Sequence, residues 1–271
     1  MSSQFSRRKS AKFKRFSHAA SRIYWNGILL YGGTYLAQIK LSDRLLAIAG
    51  LVPALGGVAD VGTDHGYIPV WLSQNGHIGK IYATDINEAP LLHAKMTAAE
   101  FGLENAISFS LCDGLAALDG ADISTVIIAG MGGENIADIL SKALWTKQLR
   151  TRLILQPMTK SALLRSWLFE NGYRVLSEQL VSDGLVYEIL TAEAGEDEPY
   201  SPAELLTGHI GLIRCDPLFE SRLDSLIEKT ERAVLGLRAS TRAEDSERLS
   251  QASAALSSLF ELKKTIFPSE T

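Results

Sequence analysis

Cysteine is scarce in this chain of 271 residues. The only two, Cys112 and Cys215, lie far apart and in no CxxC or metal-type spacing. A disulfide framework and a structural zinc site are thereby excluded; a reducing, cytoplasmic setting without a bound metal is expected. Long apolar runs are missing too. None reaches the roughly eighteen residues of a membrane span, and the nearest, "WNGILLYGGTYLAQI", is broken by glycines, Asn26 and Gln38. The third absence is local: residues 1–40 contain no Asp or Glu but eight Lys and Arg. Because the whole chain carries −4, the other 231 residues carry −12. An acidic body of that kind does not advertise a nucleic-acid ligand, although a local basic face remains compatible with one. The basic head has three readings: a targeting peptide, an RNA-binding arm, or an unstructured extension upstream of the domain. The last is adopted for residues 1–38.

What is present is a chain 46% hydrophobic, enough for one sizeable α/β core and an appendage. From Lys40 onward the pattern is regular. "LSDRLLAIAGLV" places Leu41, Leu45, Ile48 and Leu51 at helical spacing, with Ser42 as N-cap and Pro53 beyond the end. "GGVADVG" reads as a strand, "YIPVWLSQNG" as a helix closed by Gly76, and "KIYATDI" as a second strand. "APLLHAKMTAAEFG" is a helix with Pro90 near its start and Gly102 at its end. "AISFSLCDG", "STVIIAGMGG" and "TRLILQPM" supply three more strands, with helices between. Such alternation implies a parallel sheet covered by helices on both faces.

After "SALLRSWLFENG" the rhythm changes. "YRVLSEQLVSDGLVYEILTAE" reads as two strands joined at Asp183-Gly184, a strong hairpin signal. An antiparallel pair closing a parallel sheet is the usual ending of class I methyltransferases and unusual for dinucleotide dehydrogenases. "EAGEDEPYSP" is an acidic linker. Two amphipathic helices follow: Leu218, Leu223, Leu226, Ile227, Val234 and Leu237 stripe the first, and Leu249, Leu256, Leu259 and Leu262 the second. Joined by "RASTRAED", they make an antiparallel helical hairpin. It is either a packing or dimerisation element, or a clamp on a large substrate. The expected organisation is a methyltransferase-like domain over residues 39–193 and a linker with helical hairpin over 194–271.

The chemistry gathers at strand ends. "DVGTDHGYIP" follows the first strand of the regular region, with Asp60, Gly62 and Gly66 placed for close approach of a nucleotide. Asp64 and His65 occupy the tip, where related turns carry a glycine. Asp85 ends the next strand, where an acid accepts hydrogen bonds from ribose hydroxyls, with Ile86 beside it. Asp113 and Gly114 follow the third strand, where the acid is either an acceptor for an adenine amino group or a plain turn residue. Gly130, Met131 and Gly132 end the fourth, at the edge where open α/β sheets bind ligands. NAD fits poorly, since Asp64 would set a negative charge against its pyrophosphate. S-adenosylmethionine has no phosphate and carries a sulfonium, to which a carboxylate is harmless or helpful.

"LSDRLLAIAGLV", "DVGTDHGYIP", "IAGMGG" and "LILQPM…LRSWL" together resemble the TrmK family of bacterial tRNA (adenine(22)-N1)-methyltransferases. The resemblance runs from residue 41 to about 193 and more loosely through the helical tail, which in that family is coiled-coil-like. It departs at Met158, where some relatives have Asn. It implies a Rossmann-like class I methyltransferase fold, a mostly parallel seven-stranded sheet with a C-terminal antiparallel hairpin. S-adenosyl-L-methionine is then the cofactor and tRNA the substrate of a monomer or weak homodimer. No Asn-Pro-Pro-Tyr signature of exocyclic-amine methylation is present, which fits a ring-nitrogen target. Asp64 is the candidate to stabilise the cationic product or act as a base. His65 either orients it or is structural, and Tyr67 either stacks on a base or packs the following helix. Gly130, Met131 and Gly132 are expected to floor the space between methyl donor and base. Two rivals stay open: a small-molecule or protein methyltransferase on the same fold, and a catalytically silent RNA-binding module.

Overall fold

The computed structural model describes residues 23–25, 28–31, 34–119, 122–240, 242 and 245–268. The chain divides into two compact units, Met1–Ile39 and Lys40–Thr271. In the first, β1 (Ile23–Trp25), β2 (Ile28–Tyr31) and β3 (Thr34–Leu36) form an antiparallel meander with Trp25 opposite Ile28 and Tyr31 opposite Thr34. Within the stretch expected to be unstructured, the structure therefore differs over these strands. The reason is turn chemistry: Asn26-Gly27 and Gly32-Gly33 separate short β-prone segments at two-residue hairpin spacing. Residues 1–22 of that stretch lie outside the described residues.

The second unit starts with α1 (Asp43–Gly50), capped as expected by the Ser42 hydroxyl, which accepts from the Leu45 N–H. There follow β4 (Val58–Val61), α2 (Tyr67–Gln74), β5 (Ile81–Asp85), α3 (Glu88–Glu100) and β6 (Ile107–Leu111). After these come β7 (Thr125–Gly132), α4 (Gly133–Lys142), α5 (Trp145–Gln148), β8 (Arg152–Thr159) and α6 (Ser161–Glu170). The long antiparallel ribbon of β9 (Tyr173–Asp183) and β10 (Leu185–Ala194) completes one seven-stranded sheet in the order β6-β5-β4-β7-β8-β10-β9. The first five of these strands in spatial order are parallel, and β10 enters antiparallel to β8. The ribbon turns at Gly184, φ +74°, with Leu185 opposite Asp183.

The centre reads as continuous apolar runs because helices cover both faces. Val126, Ile128, Leu153 and Leu155 are buried in one cluster with Ile136, Leu140, Leu164 and Leu168 from α4 and α6. From β4 the chain winds outward through β5 and β6, then returns past β4 to β7. That reversal opens a crevice at the carboxyl ends of β4 and β7, the place where such sheets take their ligands.

The tail forms α7 (Pro202–Thr207), α8 (Ile210–Ile213), α9 (Phe219–Arg238) and α10 (Asp245–Ile266). Serine again sets the start of α7, where Ser201 and Glu204 form a reciprocal capping box. The two long helices run antiparallel, with Lys263 near the end of α10 paired to Asp224 near the start of α9. Leu223, Leu226, Ile227 and Leu259 bury against Leu180 of β9, so the base of the hairpin shares a core with the ribbon. Toward the tip, Leu237 and Leu249 are only half-buried.

A buried charge cluster fixes this attachment. Arg165 of α6 is fully buried; it donates to Glu178 of β9 from Nε (3.1 Å) and Nη2 (2.6 Å). The same guanidinium also donates to Glu188 of β10 (3.0 Å) and to the Leu205 carbonyl of α7 (3.1 Å). Arg222 of α9 donates to the other oxygen of Glu188. Burial alone would raise the Glu188 pKa, but Arg165 and Arg222 outweigh it and hold the group below the usual carboxylate range. Arg165→Met would strand Glu178 and half of Glu188 in a dry interior. Urea unfolding should therefore show a loss of about 3–5 kcal/mol; a loss under 1 kcal/mol would mean the cluster does not hold the tail.

Candidate functional site

The turn after β4 is built on left-handed backbone. Gly62 (φ +68°), Asp64 (φ +49°) and Gly66 (φ +69°) all take it, and only glycine, asparagine and aspartate do so at low cost. Asp64 thus keeps the geometry a glycine would give while adding a carboxylate. At Gly62 the left-handed backbone itself favours glycine; a Cβ there would also meet the mobile end of the Met131 side chain, Cε, at 2.2 Å. Gly62 and Thr63 both donate to the Thr84 carbonyl (2.9 Å each). Asp85 is buried at the end of β5; its carboxylate accepts from the Asn87 N–H (2.9 Å) and the Asp64 N–H (3.4 Å). A carboxylate offers about four lone-pair sites, so capacity for ribose hydroxyls remains.

β7 contributes the facing wall. Its ladder with β8 slips between Ala129 and Met131, leaving Gly130 (φ +77°) as a bulge. The Gly130 N–H donates instead to Oε1 of Gln156 (3.1 Å), a side chain wholly buried in β8. That same oxygen accepts from Arg44 Nη1 of α1 (2.7 Å). Arg44 also lies over the Tyr187 ring of β10, 5.3 Å from its centroid.

Two cavities meet at this seam. The first, about 480 Å³, takes in Gly62, Asp64, Asp85, Ile86, Asp113, Gly114, Gly130 and Met131. The second, about 330 Å³, takes in Arg44, Asp60, Gly62, Asp64, His65, Tyr67 and Gly130. Gly62, Asp64, Ala129 and Gly130 are common to both, so these residues are the shared wall.

The expected site residues therefore sort into groups. Asp85, Ile86, Asp113, Gly114 and Met131 gather in the first cavity; His65, Tyr67 and Asp60 gather in the second. Asp113 is engaged by Lys142 (3.0 Å), which also pairs with Asp138. Gly66 and Gly132 line neither cavity. Gly66 serves packing, since a Cβ there would meet Ala94 of α3 at 2.9 Å, and Gly132 starts α4. Three side chains escaped the sequence reading. Arg44 was read only for its helix, Gln156 only as part of a strand, and His93 gave no signal at all. His93 stacks on His65 (5.4 Å between ring centroids), which stacks in turn on Tyr67 (5.3 Å). The half-exposed His65 lies 3.6 Å from the Asp64 carboxylate through Nε2.

Asp60 sits beneath this surface and accepts from the Thr63 hydroxyl at 2.7 Å. Burial pushes its pKa from 3.8 up to about 6; the Thr63 hydrogen bond opposes this and the Asp85 charge adds to it.

A methyltransferase-domain family model matches residues 41–190, more than half of the chain. The tRNA (adenine(22)-N(1))-methyltransferase of Bacillus subtilis is 36% identical over 173 residues, covering 63% of this chain and 73% of the relative. The chain belongs to the TrmK family. The crystal structure of B. subtilis TrmK superimposes with a TM-score of 0.74 at 29% identity, covering 83% of this chain and 99% of that one. A Streptococcus pneumoniae structure holding S-adenosyl-L-methionine gives 0.67 at 32% identity, over 80% and 100% of the two chains. Mycoplasma capricolum TrmK holding S-adenosyl-homocysteine gives 0.70 at 25%, over 83% and 99%.

The first cavity fits that cofactor. Asp64, Asp85, Asp113 and Asp138 make it acidic, and the start of α2, the usual phosphate seat, lines the second cavity instead through Tyr67 and Ile68. S-adenosyl-L-methionine, cationic and without phosphate, suits such walls. Among the described residues no group of three or more His, Cys, Asp or Glu is arranged to hold a metal.

Asp85→Ala should weaken S-adenosylmethionine binding by roughly 1–3 kcal/mol in calorimetry, the scale of hydrogen bonds lost from a charged acceptor; an unchanged Kd would remove Asp85 from the cofactor pocket. Asp60 gives a pH signature. With its folded pKa raised, its contribution to stability is complete below about pH 4 and is lost as pH rises through about 6. Asp60→Asn should therefore gain on the parent at pH 7–8, by at most about 3 kcal/mol, and converge with it near pH 4. A Tm difference that ignores pH would contradict this assignment.

Proposed function

We propose that this protein methylates N1 of adenosine 22 in tRNA, with S-adenosyl-L-methionine in the first cavity and the target base in the second. The observation that carries the reading is the Asp64 carboxylate in the wall the two cavities share. The cofactor supplies an electrophilic methyl group on a sulfonium. Asp85 takes the ribose hydroxyls, Ile86 and Gly114 flank the adenine moiety, and Asp113 accepts from its amino group. Gly130 and Met131 keep the floor low enough for donor and acceptor to approach.

The attacking atom needs no activation, because adenine N1 carries an in-plane lone pair. The difficulty is the positive charge that grows on the ring. Asp64, accepting from the N6 amino group at the same edge, stabilises that charge, and it is also placed to take a proton from N6. His65, 3.6 Å from the carboxylate, pairs with it when protonated, and Tyr67, 39% exposed, offers a face on which the base stacks. With its pKa near 6, the buried Asp60 is mostly ionised at neutral pH and adds negative charge beneath the second cavity. We place the enzyme in the cytoplasm as a monomer or weak homodimer. Among the described residues no helix is long and apolar enough to cross a membrane.

Unmodified tRNA incubated with the protein and cofactor, then digested and mapped by mass, should carry 1-methyladenosine at position 22; methylation of metabolites in place of tRNA would support the small-molecule rival. Asp64→Asn separates catalyst from scaffold, because asparagine tolerates the same left-handed backbone. Cofactor Kd should stay within severalfold while single-turnover rate falls by roughly a hundredfold. Full rate at saturating cofactor would sink the assignment.

A further inference from the structure

Arg44 is a permanent cation in the cavity assigned to the base, and among the described residues it pairs with no carboxylate, although Asp60 and Asp64 line the same cavity. It is held instead by neutral groups: the Gln156 amide oxygen at 2.7 Å and the face of Tyr187. Its backbone N–H contacts Asp183 Oδ2 (3.4 Å) at the tip of the β9–β10 ribbon, so α1 is tied at both backbone and side chain. Gln156 is wholly buried and gives the same oxygen to the Gly130 N–H, which pins the guanidinium close to the shared wall. A Cβ on Gly130 would lie only 3.8 Å from Arg44 Nη1.

Such an arrangement is unfavourable if the cation faces the ring alone. The reaction creates positive charge on the base, and a nearby unneutralised guanidinium would raise its barrier. An arginine positioned by neutral acceptors in an otherwise acidic molecule keeps its remaining N–H donors and its full charge for an anion. The anion that arrives with every nucleotide is its phosphate. We infer that Arg44 is a phosphate-binding residue of the second cavity, clasping the phosphate of the target nucleotide and thereby setting the position of its base against Asp64. The inference rests on the second cavity being the nucleotide pocket. Gln156 is then a positioning residue, coupling the Gly130 bulge to the clasp through one oxygen.

Arg44→Gln and Arg44→Lys in the full chain test this against the plainer role of bracing Gly130. For a phosphate clasp, KM for tRNA should rise about tenfold in the glutamine variant with kcat changed less than KM. The slope of log Kd for tRNA against log salt should fall by about one, and lysine should restore part of the affinity. Calorimetry on the parent should show 5′-AMP binding more tightly than adenosine, a preference the glutamine variant loses. An unchanged salt slope with weaker cofactor binding and slower single turnover would overturn the inference and make Arg44 a brace. If the parent transfers no methyl group to tRNA, the functional reading fails instead, while the comparison of 5′-AMP with adenosine still decides Arg44.

Discussion

Two backbone positions at the sheet edge must be left-handed, and the site follows from that constraint. At the crevice between β4 and β7 the chain turns through Gly62 (φ +68°), and at Gly130 (φ +77°) the β7 ladder bulges. Neither position can take an ordinary residue without strain, since both are left-handed as well as crowded or exposed to the cavities. Because nothing projects from these two points, one crevice becomes two cavities with a thin common wall. The wall's one ionisable group is Asp64. Its own left-handed backbone stores roughly 1 kcal/mol of strain, and the Asp85 carboxylate helps to hold it there by accepting its N–H. The residue proposed to bind the cofactor therefore also helps to hold the catalytic candidate.

The electrostatics of the cavities differ in a way that matches their assigned occupants. Carboxylates dominate the first, to which the phosphate-free sulfonium is assigned. The second mixes Asp64 with Arg44 and a protonatable Asp60, a balance suited to a nucleotide that is anionic at its phosphate and becomes cationic at its base. Away from the crevice, the Arg165 cluster shows the same logic applied to structure. Charges that would be costly alone are mutually satisfied, and in being so they join α6, the ribbon, α7 and α9 into one body.

Much of this was legible in the sequence because it rests on local rules. Alternating apolar runs gave the parallel strands, Gly184 the ribbon turn, Ser42 the start of α1, and the paired stripes the helical hairpin. Most of the strand-end acids and glycines named from the sequence line the first cavity. What was hidden depends on contacts between distant segments. Arg44 and Gln156 are 112 positions apart and meet only because α1 packs beside β8 and the ribbon. His93 joins the His65–Tyr67 stack through the packing of α3, which no periodicity encodes. Gly66 reads in the sequence like a glycine for a ligand, while in the structure it lies against Ala94 of α3. The β1–β3 strands were missed although Asn26-Gly27 and Gly32-Gly33 announced them.

The central claim is that donor and acceptor meet across the edge the two cavities share and that Asp64 stands on that edge. A crystal structure with S-adenosyl-homocysteine and a tRNA fragment bound together tests it most directly. The account predicts the cofactor product against Asp85 and Ile86, with an extruded adenine between Tyr67 and Gly130, its N1 toward the sulfur and its N6 on Asp64. An adenine bound elsewhere, or one whose N6 edge faces away from Asp64, would contradict it.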